Sequence, residues 1–581
     1  MIREFKTRAK RRNRAASPPR GPGIPAFCLL FCLLALCLPA SAARAGASAA
    51  GPAASLQTEK LRKGERIFRD GILPSGKPLQ AMVKGDLAVD GRMFSCVNCH
   101  RRSGLGSTEG SIVTPANAGS KLFQPSYYGR DFTPSERSAL PEHYRAPLRR
   151  PAYTEQTLAQ AIRKGVDPAG RALHPVMPRY ELNDSDMAIL ISYLKALSAE
   201  PSPGVSDSTI RFATVVSSGV PARDSAAMLA TLEAFVAEWN SRAKVHAERA
   251  RYPEIAQEAD LSYRTIALSR WHLDGAPASW RSQLEAHYGK DPVFALLGGI
   301  SSGEWKSVHD FCEERRIPCL FPITDMPLIS GSDWYTLYLS KGLYQEGEAA
   351  AASLGRVPEL AEKDTVLQLF RDTGEGRALA AGFETAWRSL GRRPPVNRML
   401  RADEPITQDA IRRLAGKEMP SALLLWLGKE GVPVLAAISE SERRPKEVYL
   451  SASLLGEGLW SLPEPAREFT SITYPYRLPQ DETMHPNYAK AWLRARQLPV
   501  DDGRIATRMY SLMLLMNQAI PRMGRNFYRD NLLDQIDLSL LHGYPDYELL
   551  SFGPGQRYAS KECHIVTLSR GPDPILLRKS D

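Results

Sequence analysis

Two thiols and an imidazole stand within five residues, Cys96-Val97-Asn98-Cys99-His100, and this feature constrains the chain more than any other. The spacing lets two sulfurs reach the two vinyl groups of one porphyrin and places an imidazole directly behind them, where it can reach the iron. A redox dithiol that happens to precede a histidine is the competing reading. Such a dithiol is expected beside a βαβ pattern, and none surrounds residues 96–100. The motif therefore predicts one covalently attached haem c, with Cys96 and Cys99 as thioether donors and His100 as an iron ligand.

Covalent attachment of this kind takes place on an exported chain, and the first 42 residues agree with export. Lys6, Arg8, Lys10, Arg11, Arg12 and Arg14 precede an apolar run at 26–38, followed by the small residues Ala40-Ser41-Ala42. A charged region, a short apolar region and a small-residue site read as a cleaved secretory signal over residues 1–42. An uncleaved membrane anchor is the alternative, although the apolar run is shorter than a bilayer crossing requires. The leader holds eight Lys or Arg and one acid, so its removal takes the formal charge from +11 down by seven to +4. The basic character is then largely a targeting effect, and no basic patch with a recognition motif supports a nucleic-acid partner. No apolar run after the leader is long enough to span a membrane. The location predicted is the periplasm.

An iron held by His100 needs its other axial ligand from far along the chain. Met177 is the leading candidate, in the turn-rich stretch His174-Pro175-Val176-Met177-Pro178-Arg179-Tyr180. A thioether there raises the reduction potential, whereas His174 or His143 gives a bis-imidazole iron of lower potential. Met82 and Met93 precede the attachment motif, and Met187 falls on the apolar stripe of a helix. With both axial positions filled by protein, no iron site is open to substrate. Electron transfer is favoured over catalysis.

At 581 residues the chain exceeds one ordinary core and predicts two or three domains. Residues 43–57 are Ala, Gly, Ser and Pro without periodicity and read as a flexible tether. A Pro/Gly-rich break at 200–208 separates residues 58–199 from residues 209–581. The first segment opens with Leu61, Gly64, Ile67 and Phe68 and closes with Met187, Leu190, Ile191 and Leu194, both at helical spacing. Asn183, three residues ahead of Asp186, reads as the N-cap of the closing helix. One more helix is expected at 153–163, and strand signals are sparse.

Residues 58–199 resemble a class I monohaem cytochrome c domain. The matching pieces are Gly64 and Phe68, the 96–100 motif, Met177-Pro178 with Tyr180, and Leu182-Asn183-Asp184 leading to Tyr193-Leu194. The resemblance implies an all-α domain whose terminal helices cross, with His100 and Met177 on the iron. Extra residues lie before the attachment motif and again before Tyr153.

The second segment alternates short aliphatic runs at 210–216, 265–268, 293–298, 318–323, 365–370 and 422–427 with helical stretches. That alternation predicts βαβ units and parallel sheets covered by helices, in two lobes. Residues 209–581 resemble the type I periplasmic ligand-binding proteins of the branched-chain amino-acid transporter family. The carrying stretches are Val293-Phe294-Ala295-Leu296-Leu297-Gly298-Gly299-Ile300-Ser301-Ser302 and Ile317-Pro318-Cys319-Leu320-Phe321-Pro322-Ile323-Thr324. The resemblance implies a small polar or anionic solute at the strand ends, held by Ser301, Ser302 and Thr324. Helix capping is the plainer role for such hydroxyls.

No Gly-x-Ser-x-Gly, Walker loop or His-Glu-x-x-His occurs in this segment, and His485, His542 and His564 are widely spaced. Cys312, Cys319 and Cys563 are an odd remainder, open to one disulfide or to free thiols. The fold class expected is multidomain, an all-α cytochrome c domain followed by a two-lobed α/β periplasmic-binding-protein-like domain. The function expected is one-electron transfer, its redox partner a periplasmic dehydrogenase or another cytochrome, coupled to solute binding or partner docking. The alternative is a solute-binding protein with an accessory redox haem.

Overall fold

The computed structural model describes residues 52–83, 87–110, 112–127, 149–252, 263–358, 364–407, 419–479, 484–499, 504–539, 541–542, 544–552, 556–569 and 577–579. The signal expected at 1–42, the first part of the expected tether and His143 lie outside the described residues. The tether does not reach residue 57, because helix α1 already begins at Pro52 and runs as Pro52–Asp70. Leu56–Asp581 forms one unit in which the segment holding residues 96–100 and the lobes pack together.

Strand β1 (Gln80–Val83) follows α1 and pairs antiparallel with β2 (Leu87–Asp90). The motif itself is the short helix α2 (Cys96–His100). Helix α3 (Glu155–Lys164) starts on a Thr154/Thr157 capping box and stops at Gly165, whose φ of 67° is the left-handed value glycine adopts freely. Strand β3 (Arg179–Glu181) pairs with the other edge of β1, and helix α4 (Asp184–Ala196) closes the segment. Asn183 caps α4 by accepting the Asp186 N–H at 2.8 Å.

The terminal helices cross closely at Gly64. A Cβ on that residue would lie 2.5 Å from Tyr193 Cβ and 2.7 Å from Ile189 O, so only glycine lets the backbones meet there. The Phe68 and Tyr193 rings meet at a tilt, their centres 5.5 Å apart, and Ile67, Phe68, Leu158, Ile162, Leu190 and Leu194 belong to the core around them. The segment is not all-α. The residues before Cys96 form β1 and β2, which join β3 from beyond it in the sheet β2-β1-β3, and Ser107–Glu109 pairs with Ile112–Thr114 as a further hairpin. These strands are three or four residues long, and their alternation is carried by two or three side chains, too few to give a period in the sequence.

The N-terminal lobe is built on β4 (Thr209–Ser217), β5 (Thr265–Leu273), β6 (Ala295–Leu297), β7 (Cys319–Leu320) and β8 (Thr336–Leu337). Their order is β8-β7-β6-β4-β5 and every pairing is parallel. Helices α5 (Ala222–Arg249), α6 (Pro277–Lys290) and α7 (Lys306–Arg315) connect them. The chain then enters a second lobe through α8 (Leu343–Leu354), β9 (Val366–Arg371), α9 (Gly374–Ser389), β10 (Val396–Leu400), β11 (Ala422–Trp426), α10 (Gly431–Ser439), β12 (Glu447–Ser451) and β13 (Thr470–Tyr474). It returns to the first lobe as α11 (Met484–Ala495), α12 (Ile505–Arg522) and α13 (Arg529–Asp537), then ends in the second lobe as β14 (His564–Leu568) and β15 (Leu577–Lys579).

The second sheet runs β10-β9-β11-β12-β13-β14-β15, parallel through β13 and antiparallel at its last two pairings. Strand β11 is buried along its whole length, as a central strand covered on both faces must be. The return of α12 and α13 is a matter of burial: Met509, Met516, Leu532, Leu533 and Ile536 join Phe212, Phe235 and Phe294 in the core of the first lobe. The two-lobed α/β architecture with parallel sheets therefore stands.

We expect Gly64→Val to destabilise the α1–α4 crossing by about 1–3 kcal/mol, the usual cost of overpacking a tight contact. Urea denaturation followed by circular dichroism would show it as a lowered midpoint. An unchanged midpoint would mean the helices do not cross as closely as described.

Candidate functional site

Helix α2 presents the motif from a turn fixed by its neighbours. Asn98 Nδ2 donates to Met93 O at 2.9 Å, and Ser107 Oγ donates to Cys99 O at 2.8 Å. Cys96 and Cys99 are both free thiols. Burial pushes the Cys96 thiol up to about 12, and burial with the nearby Glu109 carboxylate also raises Cys99. Both are neutral thiols.

His100 Nδ1 lies 2.9 Å from Pro115 O. A carbonyl only accepts, so Nδ1 carries the proton and Nε2 keeps the lone pair. Burial drives His100 down to about 4, with the Pro115 bond opposing, so the ring is neutral at physiological pH. A neutral imidazole oriented through its other nitrogen is the form that ligates a metal.

Met177 is supplied by the loop between α3 and β3. Its N–H donates to His174 O at 3.0 Å. The Arg179 guanidinium holds the same loop from beneath, donating to Met177 O and to Leu173 O. On β3, Tyr180 is buried and donates its hydroxyl to Phe94 O at 2.7 Å, tying the methionine loop to the turn that precedes the motif. Burial pushes the Tyr180 phenol far up, so it stays a donor.

These pieces close around one cavity of about 220 Å³. Cys96, Cys99, His100 and Met177 all line it, with Leu158, Ile162, Leu173, Leu190 and Leu194 as apolar walls. The rival methionines do not line it. Met82 sits on β1 opposite Arg179, Met93 is exposed, and Met187 is in the helical core. His174 reaches the rim, where it is exposed and its Nδ1 accepts the Val176 N–H at 3.3 Å.

The hydroxyls of the second segment are engaged locally. Ser302 donates to Ser218 O at 2.7 Å, and its N–H donates to Ser217 Oγ at 2.9 Å. Ser301 Oγ donates to Gly303 O at 3.0 Å, and Thr324 Oγ1 accepts the Met326 N–H at 3.1 Å. They stitch loops at the strand ends. They do not cap a helix, since α7 begins at Lys306 behind Trp305.

The larger opening, about 640 Å³, lies between the lobes and does not include Ser301, Ser302 or Thr324 in its lining. Trp305 and Lys306 face it from one lobe, and Tyr344, Glu348 and Arg377 from the other, with Met326 and Leu328 between. Lys341 spans to Glu348 at 3.0 Å on its edge. The sequence reading missed these residues because they come from four separate stretches that only the crossovers bring together.

Beside the crossovers, Glu346 is fully buried on α8 and accepts the Thr473 hydroxyl at 2.7 Å. Desolvation pushes its carboxyl up to about 7, against the pull of Ser453, Thr473 and Ser451. Glu548, Glu562 and His564 also converge, their ligand atoms within 4.8 Å, but Lys579 lies 3.8 Å from Glu548 and supplies counter-charge. Cys312 and Cys319 are buried free thiols, and Cys563 is free. Among the described residues no helix is long and apolar enough to cross a membrane.

No family model and no curated protein matches this chain. Among solved structures it is similar to a fatty acid ABC transporter substrate-binding protein from Thermomonospora curvata, at 16% identity and a TM-score of 0.45 over 66% of this chain and 95% of that one. It is also similar to a putative branched-chain amino acid ABC transporter protein from Rhodospirillum rubrum, at 16% identity and a TM-score of 0.46 over 64% of this chain and 100% of that one. A periplasmic binding protein type 1 from Bordetella pertussis gives 13% identity and a TM-score of 0.47 over 64% and 100% of the two chains.

Glu346 gives a pH signature. Below about pH 4.5 it is protonated in both folded and unfolded chains. Above that the unfolded side chain ionises, while the folded one resists until about 7. Stability is therefore lost as pH rises through this window, by about 3 kcal/mol for the shift. We expect Glu346→Gln to flatten that part of the profile, read as urea midpoints at pH 5 and pH 8. An equal pH dependence in the variant would contradict the assignment.

Proposed function

We propose that this chain is an exported, periplasmic c-type cytochrome that carries one electron, joined to a two-lobed domain that binds a solute or docks a partner. The supporting observation is the convergence of two free thiols, a neutral imidazole and a thioether on one apolar cavity, although Met177 stands 77 residues beyond His100. The donor set fits a haem c. Cys96 and Cys99 would hold it by thioether bonds, and His100 and Met177 would be its axial ligands. When bound, the iron supplies the one-electron couple between Fe(II) and Fe(III).

The protein's own residues determine how that couple behaves. Pro115 fixes the His100 tautomer and leaves one nitrogen for the metal. Arg179 and Tyr180 hold the methionine loop, so that the sulfur stays in place in both redox states. Leu158, Ile162, Leu190 and Leu194 keep water from the cavity, which disfavours the more charged oxidised state. Together with a thioether ligand they raise the potential. A closed iron of this kind makes the chain an electron carrier, its partner a periplasmic dehydrogenase or another cytochrome, and no catalytic residue is assigned.

The second reading is solute capture with an accessory redox haem. It rests on the interlobe opening, where Lys306 and Arg377 flank Trp305 and Tyr344 as a setting for a small polar or anionic solute. Ser301, Ser302 and Thr324 would then support the loops beneath the solute. Calorimetry of the full chain with small acids and amino acids separates the two readings: a tight ligand supports capture, and none supports docking.

For the haem-loaded protein we expect Met177→Ala to lower the reduction potential, abolish the weak methionine–iron charge-transfer band of the oxidised form, and let the reduced form bind carbon monoxide. An unchanged spectrum would remove Met177 as a ligand.

A further inference from the structure

The loop that leaves the attachment motif is not held by its own segment. Arg101 turns the chain at φ 67°, a conformation that costs a non-glycine residue energy and needs support from its surroundings. The next two N–H groups, of Arg102 and Ser103, donate to the two oxygens of one carboxylate, Asp534, at 3.0 and 2.9 Å. Asp534 lies on α13, more than four hundred residues further along, and is 4% exposed.

The Arg102 side chain extends the same contact, donating to Asp537 Oδ2 at 2.7 Å and lying 4.7 Å from the Trp334 ring centre. Trp334 is fixed in turn, its backbone N–H donating to the Glu313 carboxylate at 2.7 Å. From α1, Arg69 covers the same indole at 4.4 Å and meets Asp530 at 3.2 Å, while Glu65 pairs with Arg316. Every one of these partners, Arg316, Trp334, Asp530, Asp534 and Asp537, belongs to the N-terminal lobe.

We infer that Asp534 is a positioning residue for the His100 loop, so that the N-terminal lobe sets the haem potential jointly with the haem-bearing segment. This rests on the haem reading above. Two mechanisms act together. The carboxylate fixes the two amides that follow the ligand loop, and hence where His100 can sit. It also places a poorly solvated negative charge beside the loop, which favours the more positive, oxidised iron and lowers the potential. A haem-bearing segment that rides on one lobe also gives any change in that lobe a route to the iron, through α13.

The test is redox titration of the haem-loaded full chain as wild type, Asp534→Asn and Asp534→Ala, with Asp184→Asn, whose carboxylate is exposed to solvent, as a charge-matched control. We expect the potential to rise in Asp534→Asn, where only the charge is lost, to lie lower in Asp534→Ala than in Asp534→Asn because the loosened methionine ligand offsets the lost charge, and to stay in place in Asp184→Asn. The methionine band should weaken in Asp534→Ala, where both amide acceptors are lost. Equal potentials in wild type and both Asp534 variants, each fully loaded, would overturn the inference. Amide hydrogen exchange on the wild type tests it without any variant: the Arg102 and Ser103 amides should be as protected as the α13 backbone, and rapid exchange at both would overturn it. A wild type that carries no haem would defeat the proposed function instead, and the exchange result would still judge the contact.

Discussion

A five-residue helix buries nothing by itself. None of the residues of Cys96–His100 is fully buried, and the helix has no side-chain cap. Everything that makes this stretch a site is brought to it: a carbonyl from Pro115 to orient the imidazole, a methionine loop braced by Arg179, and a carboxylate from the far end of the chain. The crossing of α1 and α4 at Gly64 fixes the frame on which those pieces meet. Without that close approach, Tyr180 and Leu190 could not stand on the same cavity as Cys96.

The second constraint is the way the chain threads its lobes. Helices α12 and α13 follow the second lobe in sequence but pack into the first, because their methionines and leucines complete its core. The return brings Asp530, Asp534 and Asp537 to one face of the N-terminal lobe, where three basic side chains, Arg69, Arg102 and Arg316, meet them or their neighbours. Arg69 and Arg102 also both lie over the Trp334 ring. Charge pairs on an open surface add little to stability, but Arg69–Asp530 and Arg102–Asp537 are largely desolvated, and removing one partner of either would leave the other buried without compensation. The segment that carries Cys96–His100 and the first lobe are thus tied together by these pairs, while the opening toward the second lobe is lined by Lys306, Tyr344 and Arg377.

Much of this was legible because it was local. The 3.6-residue spacing of Ile67, Phe68, Leu190 and Leu194 gave the framing helices, Asn183 gave the start of α4, and the aliphatic runs gave β4 to β7 of the first sheet and β9 and β11 of the second, but not β10 or β12 to β15. The short strands β1, β2 and β3 were missed, since three or four residues cannot establish a period and their burial depends on a partner a hundred residues away. Ser301, Ser302 and Thr324 were legible as strand-end hydroxyls, yet the interlobe lining falls on Trp305, Tyr344 and Arg377, which only the crossovers assemble. Asp534 carried no signal at all. An aspartate on an amphipathic helix reads as solvent-facing until the loop it accepts from is in view.

The central claim is that Cys96 and Cys99 hold one haem covalently. Intact mass spectrometry of the protein from a periplasmic host with cytochrome c maturation, compared with a Cys96→Ser/Cys99→Ser double variant, tests it most directly. The account requires the wild type to carry the mass of one haem that survives denaturation and to show the haem absorbance, both missing from the variant. A wild-type chain at its bare polypeptide mass, with both thiols open to alkylation, would contradict it.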